Sequence, residues 1–98
     1  MDTIEILKFS IIEEIEGALS EEKNKRYKNA VILYSKAIFS LCDYIIIINK
    51  LKLPSDHTER FKILDGYFPV IYRTVKKVFG KYVDTYESCE QKADSFIC

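Results

Sequence analysis

Apolar residues return every three or four positions along most of this chain, the spacing of an α-helix rather than a strand. Ile4, Leu7, Ile11, Ile15 and Leu19 set the first stripe, widened by Ile12 and Ala18, and predict helix 1 over about residues 3–20. Asp2 is placed to cap it. Gly17 interrupts it at a cost of about 1 kcal/mol relative to Ala, which points to fraying or to close approach of a neighbour. Ser20 to Lys25 reads as the turn. Helix 2, about 25–51, has one seam through Tyr27, Ala30, Val31, Tyr34, Ala37, Ile38, Leu41, Ile45 and Ile48. Leu33, Phe39, Cys42, Ile46 and Ile47 extend its apolar surface around the cylinder. A helix apolar over so much of its girth needs cover on more than one side, and a second copy of the chain is a natural cover. The run Ile45 to Ile48 alone reads equally as a strand, but it continues a long helical register, so helix is the expectation.

Leu53-Pro54 ends that helix, and Asp56 with Glu59 has capping-box spacing for a short helix 3 over about 56–66. Phe61 and Leu64 should face inward, with Gly66 as the stop. Pro69 suits the first turn of helix 4, which carries Ile71, Val75, Val78, Phe79, Tyr82, Val83 and Tyr86 to about residue 91, with Gly80 as a candidate kink. Ala93 to Cys98 should fray. The expected fold is all-α, an up-and-down four-helix bundle with helix 3 short, forming one domain over 1–98 with its core at about 3–91.

Composition narrows this further. The 98 residues are 48% hydrophobic, with seven Tyr, six Phe, three Gly and two Pro. That excludes a disordered chain, and the scarcity of turn residues argues against a sandwich or barrel. Net charge is zero but sorted along the chain: residues 1–22 come to −6, residues 23–81 to +9 and residues 82–98 to −3. Either acidic helix 1 and the tail lie beside basic neighbours, or the excess forms a basic face for phosphates. Tyr44 to Ile48, the longest unbroken apolar run, is far short of the roughly 20 residues of a membrane span. With no signal-peptide pattern at the acidic N-terminus, the expected location is cytoplasmic, without membrane partners. Cys42, Cys89 and Cys98 have no metal-ligand spacing. Cys42 reads as a buried thiol, and Cys89 with Cys98 leaves a cross-link open.

Chemistry concentrates at one point. His57, the only histidine, stands three residues before Arg60 at the start of helix 3, so the two share a face. Free N–H groups at a helix start favour an anion, with His57 as acid or base and Arg60 holding a phosphate. The structural alternative packs His57 over the helix start and pairs Arg60 with an acid such as Asp56. Arg73, Lys76, Lys77 and Lys81 form a stripe on helix 4, and Lys23, Lys25, Arg26 and Lys28 cluster at the start of helix 2. Both would suit phosphates of RNA or a nucleotide, and both would equally serve as solvated faces. The tyrosines fit core packing better than base stacking. No phosphate loop, nucleophile elbow, paired-carboxylate motif or zinc motif is present, so neither cofactor nor metal is expected.

Four segments in order, Tyr27-Lys28-Asn29-Ala30-Val31, Ser35 to Tyr44, Leu53 to Phe61 and Phe79 to Tyr86, resemble the HEPN superfamily (higher eukaryotes and prokaryotes nucleotide-binding) over roughly residues 10–90. The resemblance implies a helical bundle that often dimerises through its early helices. Many relatives are ribonucleases, typically toxins paired with a small nucleotidyltransferase antitoxin. Others are non-catalytic RNA-binding or scaffold modules. The catalytic version carries Arg four to six residues before His. Here Arg26 is far upstream of His57, while Arg60 and Arg73 follow it, so the catalytic pair does not carry over. The leading expectation is therefore a non-catalytic, dimeric HEPN-type module that binds a partner protein, such as a nucleotidyltransferase, or RNA. The alternatives are a ribonuclease using His57 and Arg60 across a dimer cleft, and a helical-hairpin adaptor. The adaptor reading rests on the Tyr/Ala rhythm of Tyr27 to Ile38, which resembles tetratricopeptide or MIT-like helices.

Overall fold

The computed structural model describes residues 2–90, with side chains through Thr85. The expectations at Tyr86, Cys89, Cys98, residue 91 and the stretch 93–98 lie outside the residues or side chains described. Four α-helices make up the described chain: α1 (Thr3–Lys23), α2 (Tyr27–Ile48), α3 (His57–Tyr67) and α4 (Pro69–Glu90). This is the all-α bundle that the apolar spacing predicts, with α3 the short element.

The ends of the helices differ from expectation for local reasons. At the start of α1, Asp2 accepts the Glu5 N–H at 2.9 Å, as its position predicts. At its far end α1 runs on to Lys23, because Glu21, Glu22 and Lys23 are all good helix formers. It stops at Asn24, whose side-chain amide donates to the Ser20 carbonyl. Lys25 then turns left-handed at φ 61°, and the Arg26 N–H reaches back to the Glu21 carbonyl at 2.8 Å. This six-to-one closure is a Schellman motif. The same device ends α2 three residues earlier than expected: Lys50 has φ 60°, and the Leu51 N–H donates to the Ile46 carbonyl. α3 runs through Gly66 to Tyr67, because the stop comes from Pro69. Its ring keeps Phe68 out of helical backbone, at φ −137° and ψ 64°. α4 passes through Gly80 as helix, without interruption.

α2 is the spine. α1 packs along one flank of it, where Gly17 lets the backbones approach: a Cβ there would lie 3.2 Å from Leu33 Cδ1. Buried Ala30 and Ala37 keep this flank close. On another flank, Phe39, Cys42 and Ile46 of α2 join Leu64 of α3 and Val75 of α4 in the main core. The sequence seam is thereby corrected. The residues of α2 that pack inside the chain are Ala30, Ile32, Ser35, Ala37, Phe39, Cys42 and Ile46, while Tyr27, Val31, Leu41 and Ile48 of the predicted seam are exposed. Ile12, Ile15 and Leu19 of α1 are exposed beside them.

The molecule is a slab of 43 × 27 × 20 Å, about two helix diameters thick. Few side chains in such a slab can be fully enclosed. α2 is long and apolar enough to cross a membrane by length and composition, a property shared by core helices. Here it lies between α1 and the α3–α4 pair.

The two left-handed lysines give a direct test. Left-handed backbone costs a residue with a Cβ roughly 1–2 kcal/mol, and Gly avoids it at some cost in unfolded-state entropy. Lys25→Gly and Lys50→Gly should each raise stability by about 1 kcal/mol in urea titrations, with unchanged m-value.

Candidate functional site

The site forms where the α3 N-terminus meets the middle of α2. Asp56, the cap residue, accepts the Glu59 N–H at 2.8 Å, and Glu59 in turn accepts the Ser55 hydroxyl at 2.8 Å. The helix start that could hold an anion is thus occupied by the chain's own carboxylate. With Asp56 committed there, Arg60 takes a different partner from the one expected. It reaches across to Asp43 of α2 in a bidentate pair, Nε to Oδ1 at 2.6 Å and Nη2 to Oδ2 at 3.0 Å. Both side chains are largely buried, at 12% and 13% exposure. The guanidinium also lies 5.7 Å from the centre of the Phe39 ring.

Arg60 Nη1 makes a further bond of 2.7 Å to Nδ1 of His57. A guanidinium only donates, so Nδ1 is the acceptor and the ring proton sits on Nε2. The imidazole is wedged edge-on against Phe39 at 4.8 Å and tilted against Phe79 at 4.9 Å, with Phe61 and Tyr82 next to it. Burial holds its pKa below the ordinary 6.5, and the Arg60 charge lowers it further, with Asp43 and Asp56 offsetting part of the effect. His57 is therefore neutral at pH 7, with its one lone pair engaged.

Beside this network opens a cleft of about 370 Å³, with walls from all four helices. α1 contributes Glu14, which accepts the Ser40 hydroxyl at 2.7 Å. α2 contributes Lys36, Phe39, Ser40 and Asp43, and Tyr82 comes from α4. Ser55, Asp56, His57 and Arg60 close the remaining side. Glu14, Asp43 and Asp56 against Lys36 and Arg60 leave the lining with one net negative charge, a poor setting for phosphate. Among the described residues, no group of His, Cys, Asp and Glu could hold a metal ion. The Cys42 thiol is pushed up to about 11 by its burial, with the Arg60 charge opposing, and is no nucleophile.

The other predicted residues lie elsewhere. Arg73, Lys76, Lys77 and Lys81 are all exposed on the outward face of α4, away from the side that carries Tyr82. Lys76 reaches over the Tyr72 ring. Lys25 and Arg26 sit in the α1–α2 turn, where Arg26 pairs loosely with Glu21 at 3.6 Å. That turn is 17 residues, or about 25 Å along α2, from Asp43. Only His57 and Arg60 of the candidates share the cleft. Sequence reasoning missed Asp43, although the signal was present: it is the one acid inside the apolar run 37–48, and a charge buried there needs a partner.

Two outcomes test the network. Asp43→Ala leaves Arg60 buried without its counter-charge and should cost roughly 3–5 kcal/mol by denaturant unfolding, whereas Asp43→Leu combined with Arg60→Met should cost less than that single change. His57 also makes stability depend on pH. Below 6.5 the unfolded chain binds a proton that the folded chain refuses, so this stabilisation is complete above about pH 6.5 and is lost on acidification. The NMR titration of the single imidazole should have its midpoint below 6.5, and His57→Phe should remove this part of the pH dependence.

Comparison of the chain with family models, with curated proteins and with solved structures finds no match.

Proposed function

We propose that this protein is a non-catalytic, homodimeric module of HEPN type that works by binding a partner protein. The observation carrying this reading is the bond from Arg60 Nη1 to His57 Nδ1, made while the same guanidinium clamps Asp43. General-base cleavage of RNA needs an imidazole lone pair near the 2′-hydroxyl, and general-acid catalysis needs an imidazolium. His57 offers neither: its lone pair is taken and its pKa is lowered. Arg60, with three of its five N–H groups committed, has little left for a transition-state phosphate. The network ties α3 to α2 and shapes the cleft wall instead.

The cleft, with its mixed charges and aromatic floor, suits a polypeptide partner better than a polyanion. A small nucleotidyltransferase is the partner that the HEPN resemblance implies. RNA is the second reading, favoured by the exposed cations Arg73, Lys77 and Lys81, which repeat at one-turn spacing along α4.

Structured RNA incubated with the purified protein should stay intact, and His57→Ala should leave that result unchanged. Cleavage by the wild type that disappears in both His57→Ala and Arg60→Ala would overturn the non-catalytic reading. In filter binding, the second reading expects affinity that falls steeply with salt and drops in Arg73→Glu and Lys77→Glu.

A further inference from the structure

α2 presents two solvent edges on opposite sides. Lys36, Ser40 and Asp43 follow one another at helical spacing along the cleft edge. Leu41 and Ile38 stand roughly 140–160° around the helix from Lys36, on the other edge. There they meet α1 in a shallow groove lined by Ile11, Ile15, Tyr34, Ala37, Ile38 and Leu41, with no charged side chain. Adjoining grooves extend it toward Ile12, Lys8 and Tyr44.

This surface is large for a protein of this size. Ile12, Ile15, Leu19, Tyr27, Val31 and Leu41 are each 38–60% exposed. With the half-buried residues between them they form one apolar face running over two helices, where singly scattered apolar residues are the rule on a monomer's surface.

The charges at its ends identify the occupant. Lys8 lies at one end, 5.9 Å from the Tyr44 ring centre, and Glu22 at the other, accepting the Tyr34 hydroxyl at 2.7 Å. Lys8 precedes Ile15 by seven residues and Glu22 follows it by seven. Two antiparallel copies of α1 related by a two-fold axis beside Ile15 would set Lys8 of each opposite Glu22 of the other. The face is complementary to itself, as an isologous interface requires.

We propose that the protein pairs with a second copy through this α1–α2 edge, antiparallel about Ile15, leaving one His57 cleft on each outer face of the dimer. The two clefts are then not shared, and neither borrows a residue from the other copy. The proposal rests on the self-association in the preceding reading, and specifies its surface, register and consequence for the cleft.

Sedimentation velocity on the full chain tests it. The wild type should be a dimer at micromolar concentration. Ile15→Glu and Leu41→Glu should be monomers with unchanged far-UV circular dichroism, since both side chains already face solvent. Lys8→Glu and Glu22→Lys should each weaken dimerisation about tenfold, because symmetry counts each pair twice. The double reversal should restore wild-type affinity. Lys8 and Glu22 are about 21 Å apart along one helix, so a rescue can arise only between copies. A monomeric wild type, a dimer indifferent to Ile15→Glu, or a double reversal as weak as the singles would overturn the proposal. RNA cleavage by the wild type would instead sink the non-catalytic reading and leave this surface standing.

Discussion

Asp43 is a carboxylate set into the most apolar helix of the chain, and a charge in that position has to be matched. The match is Arg60, delivered from α3 by a bidentate pair with little exposure. Much else follows from that one demand. Arg60 can reach Asp43 only if α3 lies across the middle of α2, which sets the course of the loop through buried Pro54. The reach also carries His57 onto the aromatic cluster of Phe39, Phe61, Phe79 and Tyr82, so one ion pair fixes both the placement of a helix and the protonation of the histidine.

The clamp bears equally on chemistry. A histidine and an arginine three residues apart resemble a catalytic pair when only spacing is considered. Bonded to each other, and to a carboxylate, they become a structural unit. The guanidinium spends its donors inside the chain, and the imidazole keeps its proton on the far nitrogen. The cleft next to them is consequently mixed in charge rather than basic, while the cations available for a polyanion stand on a different surface of α4.

Much of the architecture was legible in the residues. Four helices, the Asp2 and Asp56 caps, the close approach at Gly17 and the inward Leu64 all follow from local rules that act within one or two turns. What was not legible depended on distant partners. The seam through Tyr27, Val31, Leu41 and Ile48 has faultless helical periodicity, yet periodicity records only that a face is apolar, not which neighbour covers it. The adjacent face, with Ile32, Phe39, Cys42 and Ile46, won the interior because α3 and α4 arrive there. Likewise His57 and Arg60 could be picked out as a pair, but their partner Asp43 is seventeen residues before Arg60, and only the packing of α3 on α2 brings it into reach. The C-terminal ends of α1 and α2 differ from expectation because left-handed lysines close them where glycine is the usual signal.

Among the described residues, α1 packs against α2 alone, whereas α2, α3 and α4 each touch both of the others. The N-terminal arm is thus joined to a three-helix body along a single seam, held by Ala18, Ala30 and Ala37 and by hydrogen bonds from Ser40 and Asn29 to Glu14 and Glu21. Detaching it would leave the ion pair and the aromatic cluster undisturbed, so it can open as a unit separate from the other three helices. Native-state hydrogen exchange would see such an opening as early loss of protection confined to the first two dozen amides, and anything that lies across the α1–α2 edge would act as a splint against it.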